Sequence, residues 1–211
     1  MPPRPSYRID RAAWIMARAF TPHLVLAPLA LPWTLLSVIP GTLRRGLYLD
    51  PTRTGMVMLY RSNPVLDVLV LFPIMLIVFG AYFAATLALT NIAGWLALSL
   101  PVATVVFMIG LLFLLPRGGG SLFPWGPETP DGPRWEIAGL AQLPGTRLTG
   151  IQLALRALDT IPPEGSVIVA TANSEDLYRQ YQAFGFTGGP KHRVHRIATR
   201  PREPHPIDLK P

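Results

Sequence analysis

The sequence predicts a small α/β domain joined to a two-helix transmembrane hairpin. Two observations support this prediction. Residues 68–116 contain no Asp, Glu, Lys or Arg, and a helix needs about 20 apolar residues to span the hydrocarbon core of a bilayer. After residue 133, short apolar runs alternate with amphipathic stretches, which is typical of strands that alternate with helices.

The composition favours the membrane class and excludes several kinds of site. Half of the residues are hydrophobic and 15% are charged, whereas an average soluble protein has about 25% charged residues. The chain has no cysteine, which excludes disulfides, thiolate nucleophiles and cysteine-based zinc sites. His23, His192, His195 and His205 lack the spacing of metal ligands, so we predict no metal.

The net charge of +7 is unevenly distributed. Residues 1–67 contain eight arginines and three aspartates, whereas residues 117–211 contain eleven basic and nine acidic side chains. The positive excess therefore lies beside the apolar block. This position favours attachment to anionic lipid headgroups over nucleic-acid binding, so we expect the lipid bilayer as a partner and no nucleic acid.

The apolar block divides into two spans, Val65–Thr90 and Ile92–Leu115, around a turn at Asn91 and Gly94. Backbone polar groups cannot be left unpaired in lipid, which makes a helical hairpin the simplest arrangement. The turn is uncharged, and the positive-inside rule places both basic flanks in the cytoplasm. We therefore expect a multi-pass protein of the cell membrane with a cytoplasmic C-terminal domain.

A third apolar segment, residues 24–40, has three interpretations. It spans the membrane, re-enters it, or belongs to a folded domain. Prolines recur through the segment and the N-terminus is basic, which favours a non-spanning interpretation.

The predicted domain organisation has five parts. They are an N-terminal amphipathic and apolar region (1–64), the hairpin (65–116), a Gly/Pro linker (117–134), an α/β region (135–200) and a disordered, proline-rich tail (201–211).

The α/β region has a clear order of elements. The pattern predicts a strand over 135–143, a helix over 148–158 and a strand over 166–172. Asn173 or Ser174 then caps a helix that Gly185 ends, and a last strand covers 194–198.

Motifs in this order resemble the acyl-CoA-binding half of GNAT-type N-acetyltransferases, over residues 133–198. The loop Arg147-Leu148-Thr149-Gly150-Ile151-Gln152 is similar to the family pattern Q/R-x-x-G-x-G/A. The strand SVIVATA, Asn173 and the ending Tyr181-Gln182-Ala183-Phe184-Gly185-Phe186 follow in the family's order.

The N-terminal region also resembles the first half of this family. Asp10–Phe20 is similar to its opening helix, residues 33–47 to its second helix, and Gly55–Arg61 to the next strand. The resemblance therefore implies a hairpin inserted into a GNAT-like fold near its middle strands.

The resemblance implies acetyl-CoA as cosubstrate and a small-molecule or protein amine as acceptor. Residues 147–152 would bind the pyrophosphate at a helix N-terminus, with Gly150 at the family's glycine. Asn173 belongs to the same site, and Tyr181 matches the general acid that protonates the leaving thiolate. Gln152 departs from the family's Gly or Ala, and its longer side chain would crowd the pyrophosphate.

Alternatives from other classes remain open. A tyrosine near a helix end is more often a packing residue, and such a role for Tyr181 would fit a catalytically inactive, membrane-tethered binding or scaffold protein. Glu136 is either a base acting through water or a surface residue. Gly80, Ala84 and Ala88 form a small-residue face, which either packs the hairpin onto itself or indicates a membrane protein that acts through helix–helix contacts.

Overall fold

The computed structural model describes residues 3–21, 23–92, 101–102, 104–105, 109, 124–146 and 149–199. These residues form five named α-helices and six strands, together with two short 3₁₀ segments, which confirms the prediction of a mixed α/β chain. The elements in chain order are α1 Ile9–Phe20, α2 Ala27–Leu43, β1 Leu47–Leu49, β2 Gly55–Arg61, α3 Pro64–Ile92, β3 Arg134–Gln142, α4 Thr149–Thr160, β4 Val167–Thr171, α5 Glu175–Ala183, β5 Thr187–Gly188 and β6 Arg193–Ile197.

Most predicted elements match the observed ones within a few residues, but the second helix was misplaced. It was predicted over 33–47, whereas α2 covers Ala27–Leu43 and residues 47–49 form β1. The chain turns at Arg45, which has a φ of 55°. The carbonyl of Gly46 then accepts a hydrogen bond from the Leu59 N–H at 2.8 Å, which starts a strand pair.

All six strands form one sheet in the order β1-β2-β3-β4-β6-β5. Every neighbouring pair is antiparallel except β3 and β4, which are parallel. Strands from before and after the apolar block thus pair directly, as β2 with β3. At the end of this pair the Ser62 N–H donates to the Arg134 carbonyl at 2.9 Å, so the chain leaves the domain and returns to it at adjacent positions.

Helices cover both faces of the sheet. On one face α1 and α2 bury a cluster that includes Ile15, Val38 and Met58. On the other face α4 and α5 bury a cluster that includes Leu153, Ile168 and Tyr181. Strand β4 is almost fully enclosed, because its first four residues are buried, as a central strand between two helical layers should be.

Helix α2 has no charged residue, and along most of its length the buried residues lie on one side. Ala27, Ala30, Thr34 and Val38 recur every three or four residues and face α1 and the sheet. By length and composition alone, Leu24–Leu43 is the one helical segment within the described residues that is long and apolar enough to cross a membrane, and a third of its most apolar window is buried.

Helix α3 contains the first predicted span. Large apolar side chains such as Leu69, Ile77 and Phe83 are exposed on it. Most of the second span lies outside the described residues, although 101–102, 104–105 and 109 are helical. Asn91, which was predicted in the turn between the spans, lies within α3. The other predicted turn position, Gly94, linker residues 117–123 and the tail from residue 200 also lie outside the described residues.

The remaining part of the predicted linker is held against the sheet. The Glu128 carboxylate lies 2.6 Å from Arg193 Nε in an ion pair with both side chains largely buried. Arg193 Nη1 also donates to the Trp125 carbonyl at 3.3 Å. Residues 124–133 are therefore attached to the domain at the start of β6.

Asp50 organises the tight turn between β1 and β2. Its carboxylate accepts the backbone N–H groups of Thr54 at 2.7 Å and Thr52 at 3.0 Å, together with that of Gly55. Burial opposes ionisation of Asp50, but hydrogen bonds from the Thr52 hydroxyl and from these three N–H groups outweigh it. The pKa of Asp50 is therefore lowered.

We expect Asp50→Asn to lower the free energy of unfolding by roughly 1–3 kcal/mol at pH 7, because the amide is a weaker acceptor for buried donors. A lowered pKa means that the contribution of Asp50 is present above the unfolded value of about 4 and is lost as the pH falls through the folded-state pKa. Thermal unfolding in one mild detergent should therefore separate the two proteins at pH 7, and the difference should shrink as the pH falls from about 4 toward the lower folded-state pKa of Asp50. Asp176→Asn, at an exposed position, is the control, and a pH-independent difference would contradict this account.

Candidate functional site

The candidate site begins where β3 and β4 separate. The two strands pair over only three positions, from Arg134 with Val167 to Glu136 with Val169. Strand β3 nevertheless continues to Gln142 and β4 to Thr171. The carboxyl-terminal half of β3 therefore has β2 on one side and a gap on the other.

A β-bulge in β3 coincides with this separation. Met58 pairs with Gly139 and Leu59 with Ile137, which leaves Ala138 as the extra residue. Bulges bend a strand and increase its twist. The bulge thus gives a local reason for β3 to diverge from its parallel neighbour immediately after Glu136.

The separated half of β3 presents backbone groups to the gap. The Leu143 N–H donates to the Thr54 carbonyl at 2.7 Å, so the backbone groups of Leu143 point toward the β2 side. Successive residues of a strand direct their N–H and C=O groups to opposite sides. The groups of Leu140 and Gln142 therefore point away from β2 and toward the gap.

An apolar groove lies beside the gap, between α4 and α5. It is a shallow depression with a cavity volume of about 20 Å³, room for little more than one water molecule, and it is partly open to solvent. Its lining comes from three elements and includes Leu140, Ile151, Leu155, Leu177, Tyr181 and Phe184. Apolar side chains beside the strand-edge backbone groups of β3 offer contacts for the methylene and amide groups of an extended ligand.

The described part of α4 begins very close to β2. A Cβ atom on Gly55 would lie 2.5 Å from the Gly150 nitrogen, and one on Gly150 would lie 2.9 Å from the Ala141 carbonyl oxygen. Glycine at both positions therefore allows the helix to contact the backbone of the sheet. The Gly150 N–H donates to Gln142 Oε1 at 3.3 Å.

Only part of the predicted phosphate loop can be located. Arg147 and Leu148 lie outside the described residues. Thr149 is the first described residue of α4, and its hydroxyl accepts from that of Thr54 at 3.3 Å. Ile151 lines the apolar groove, while Gln152 is exposed.

Asn173 is half-buried in the turn before α5. The prediction left open whether Asn173 or Ser174 caps that helix, and the structure assigns the cap to Ser174. Its hydroxyl accepts the Leu177 N–H at 3.3 Å.

Tyr181 lies in the core and forms one wall of the groove. It is only 6% exposed, and its ring packs edge-on against Phe186 at 5.1 Å between centroids. Burial raises the pKa of the Tyr181 phenol well above its usual range. Its position is compatible both with a packing role and with contact to a ligand in the groove.

Glu136 lies at the last paired position, where the gap opens. Its neighbours Trp135 and Ile137 belong to the core on the α4 and α5 face, so alternation places Glu136 on the opposite face. The Ser62 hydroxyl donates to Glu136 Oε2 at 3.3 Å. Glu136 was a candidate from its sequence position. Leu140, Gln142 and Gly55 were not predicted, because an apolar residue, an amide and a glycine near strand ends carry no separate signal.

The described contact between α3 and the helical segment after it does not involve the small-residue face of α3. The Tyr82 hydroxyl lies 3.0 Å from that of Thr104, and Tyr82 is on the side of α3 opposite Gly80, Ala84 and Ala88. These three small residues are exposed, and nothing lies within 4 Å of a Cβ placed on Gly80.

Known proteins do not identify the chain, since no protein-family model and no curated protein matches it. Within the described residues no group of three or more His, Asp or Glu side chains is arranged to hold a metal ion.

We expect Gly55→Ala to destabilise the protein by roughly 1–3 kcal/mol, because the new methyl group meets backbone rather than a movable side chain. The midpoint of thermal unfolding in detergent measures this effect. Gly80→Ala adds the same methyl group in open space and is the matched control. Equal midpoints for the two variants would show that the approach of α4 to β2 is less close than described.

Proposed function

We propose that this chain is a membrane-anchored, GNAT-like N-acetyltransferase that moves an acetyl group from acetyl-CoA to an amine. The observation that carries the proposal is the separation of β3 from β4 beside an apolar groove. The order α1, α2, β2, β3, α4, β4, α5 also follows the order of elements that the resemblance implies.

The gap suits the pantetheine arm of acyl-CoA. A free strand edge can bind an extended ligand through backbone hydrogen bonds, as an added strand would. Leu140 supplies such an edge, while Ile151 and Leu155 supply apolar contacts in the groove. The diphosphate then lies at the start of α4, as the resemblance of residues 147–152 implies. Gln142 would have to release the Gly150 N–H to make room for it.

The chemistry needs a proton donor and a proton acceptor on opposite sides of the thioester. The amine nitrogen attacks the carbonyl carbon, the carbon–sulfur bond breaks, and the thiolate takes a proton. Tyr181 on the groove side is the proposed donor. Burial keeps its phenol protonated, although the raised pKa also makes it a weaker acid. Glu136, on the opposite face, is the proposed acceptor of the amine proton through water.

The same proposal places α3 and residues 92–115 across the bilayer as a hairpin. The adjacent exit and return of the chain at Ser62 and Arg134 support an even number of crossings. Exposed apolar side chains along α3 support contact with lipid. The arginines beside the hairpin support a cytoplasmic position for the α/β domain.

An inactive binding or scaffold protein is the second candidate, and two observations favour it. Tyr181 is buried against Phe186, as a packing residue would be. The Gly150 N–H already has a protein acceptor in Gln142. Experiments with acetyl-CoA separate this candidate from the enzyme.

We expect the detergent-solubilised chain to bind acetyl-CoA in calorimetry, and Leu155→Trp to weaken binding at least about tenfold by filling the groove. Thr160→Trp places the same indole on the exposed end of α4 and should bind like wild type. Absence of binding at millimolar acetyl-CoA would rule out the enzyme. Equal binding by Leu155→Trp and Thr160→Trp would exclude the groove as the site.

We expect Tyr181→Phe to bind acetyl-CoA normally but to lower turnover by about 10²–10⁴-fold, which is the usual contribution of a general acid. Phenylalanine preserves the ring that packs against Phe186, so the midpoint of unfolding should change little. Turnover with a panel of primary amines is measured through release of the CoA thiol. The chain has no cysteine, so a thiol reagent detects the product alone. Unchanged turnover would assign Tyr181 to packing.

A further inference from the structure

The side of α2 that faces away from the sheet is entirely apolar. Taking Thr34 as the centre of the buried side, a period of 3.6 residues places a second set of residues opposite. We call this set the outer face, and its members are Val25, Leu29, Pro32, Leu36, Ile39 and Leu43. Val25 in the preceding turn is 82% exposed and Leu43 is 65% exposed. Pro32 is also exposed, whereas Leu29, Leu36 and Ile39 are half-buried.

Such a face is unusual for a helix on the surface of a domain. A surface helix of a soluble domain carries polar and charged residues on its outer side, and a helix that is apolar all round is normally covered. From Leu24 to Leu43 no residue is charged. Isolated exposed apolar residues need no explanation, but an uncharged face of this length, exposed or half-buried along its whole extent, indicates a contact surface.

The surroundings of the outer face favour lipid as its occupant. Helix α2 contacts α3 and ends next to the start of α3. Arg44 Nη1 donates to the Arg61 carbonyl and Nη2 to that of Asn63, each at 3.3 Å. Arg45 and Arg61 are exposed at the same place. An apolar face bordered by arginines matches the boundary between acyl chains and anionic headgroups.

The packing of α2 determines how it meets the bilayer. Its buried side is attached to α1, which carries Arg8, Asp10 and Arg11 at or near its start and Arg18 near its end. A helix crossing the hydrocarbon core would take these charges with it, at a cost of about 2.5–3.5 kcal/mol for each Arg or Asp at the centre. A helix lying in the plane of the interface leaves them in water.

We propose that α2 lies in the bilayer interface, with its outer face inserted about 5–10 Å among the lipids. The domain then makes a second membrane contact besides its hairpin, and its orientation on the membrane is fixed. This inference rests on the proposed anchoring by α3 but is independent of the acetyltransferase activity. Because α4 and α5 lie on the opposite face of the sheet, the groove opens toward water, where a soluble acyl-CoA is found.

The experiment uses the full chain in vesicles of phosphatidylcholine and phosphatidylglycerol. Since the protein has no cysteine, Val25→Cys, Leu36→Cys and Leu43→Cys each carry one environment-sensitive fluorophore. Arg179→Cys on α5, an exposed position on the other side of the sheet, is the matched control. Spin-labelled lipids report the depth of each label, and an aqueous quencher added outside reports its accessibility.

We expect shallow and equal depths at residues 25, 36 and 43, with protection from the aqueous quencher, and the opposite behaviour at residue 179. Shallow labels at 25 and 43 in opposite leaflets, with a deep label at 36, would show that α2 crosses the bilayer. Full access to the aqueous quencher, or protection without contact with lipid, would overturn the proposal in favour of water or protein as the occupant. Alkaline carbonate extraction tests α3 anchoring separately, and calorimetry with acetyl-CoA tests the enzyme.

Discussion

The pairing of β2 with β3 is the interaction on which the architecture depends. These strands come from opposite sides of the apolar block, and their antiparallel ladder runs the full length of β2. It joins the α1 and α2 layer to the α4 and α5 layer through one sheet. The bulge at Ala138 lies within this ladder, so the same contact that connects the two halves also directs β3 away from β4.

The two faces of the sheet have different environments. One is covered by α1 and α2, and α2 turns an uncharged outer face away from the domain. The other is covered by α4 and α5, with an open groove between them. We propose that lipid contacts the α1 and α2 side and that a soluble cosubstrate binds on the α4 and α5 side. An amine that reacts in the gap from the α1 and α2 side would therefore arrive from the membrane surface, which favours acceptors held there over freely diffusing ones.

Much of the fold followed from local patterns. The strand at 167–171 is a run of β-branched and small residues, and α5 has a capping serine, acidic residues in its first turn and a terminal glycine. Such signals act within a few residues. Strand β1 was missed because three residues carry too little periodicity, and its position depends on the turn at Arg45 and on pairing with β2. The motif containing Gly150 located the start of α4, but packing also favours glycine there, because a Cβ atom would lie 2.9 Å from the Ala141 carbonyl oxygen.

The candidate site was harder to predict because it depends on contacts between residues that are far apart in the sequence. Its defining feature is the absence of pairing between β3 and β4 beyond Glu136, and sequence does not specify which strand will lie beside which. Tyr181 was identified through its motif, yet the degree to which burial raises its pKa depends on Phe186 and on the α4 helix packed around it.

The separation in sequence between β2 and β3 has a consequence for synthesis on the ribosome. Strand β2 is complete at residue 61, but its partner is not made until residue 134 and beyond. At elongation rates of about 5–20 residues per second, β2 waits several seconds with one edge unpaired. An open edge of this kind is prone to aggregation. If α3 holds the nascent chain at the membrane, as we propose, it limits diffusion of the chain during this interval, and the same insertion that delays completion of the sheet protects its unfinished half.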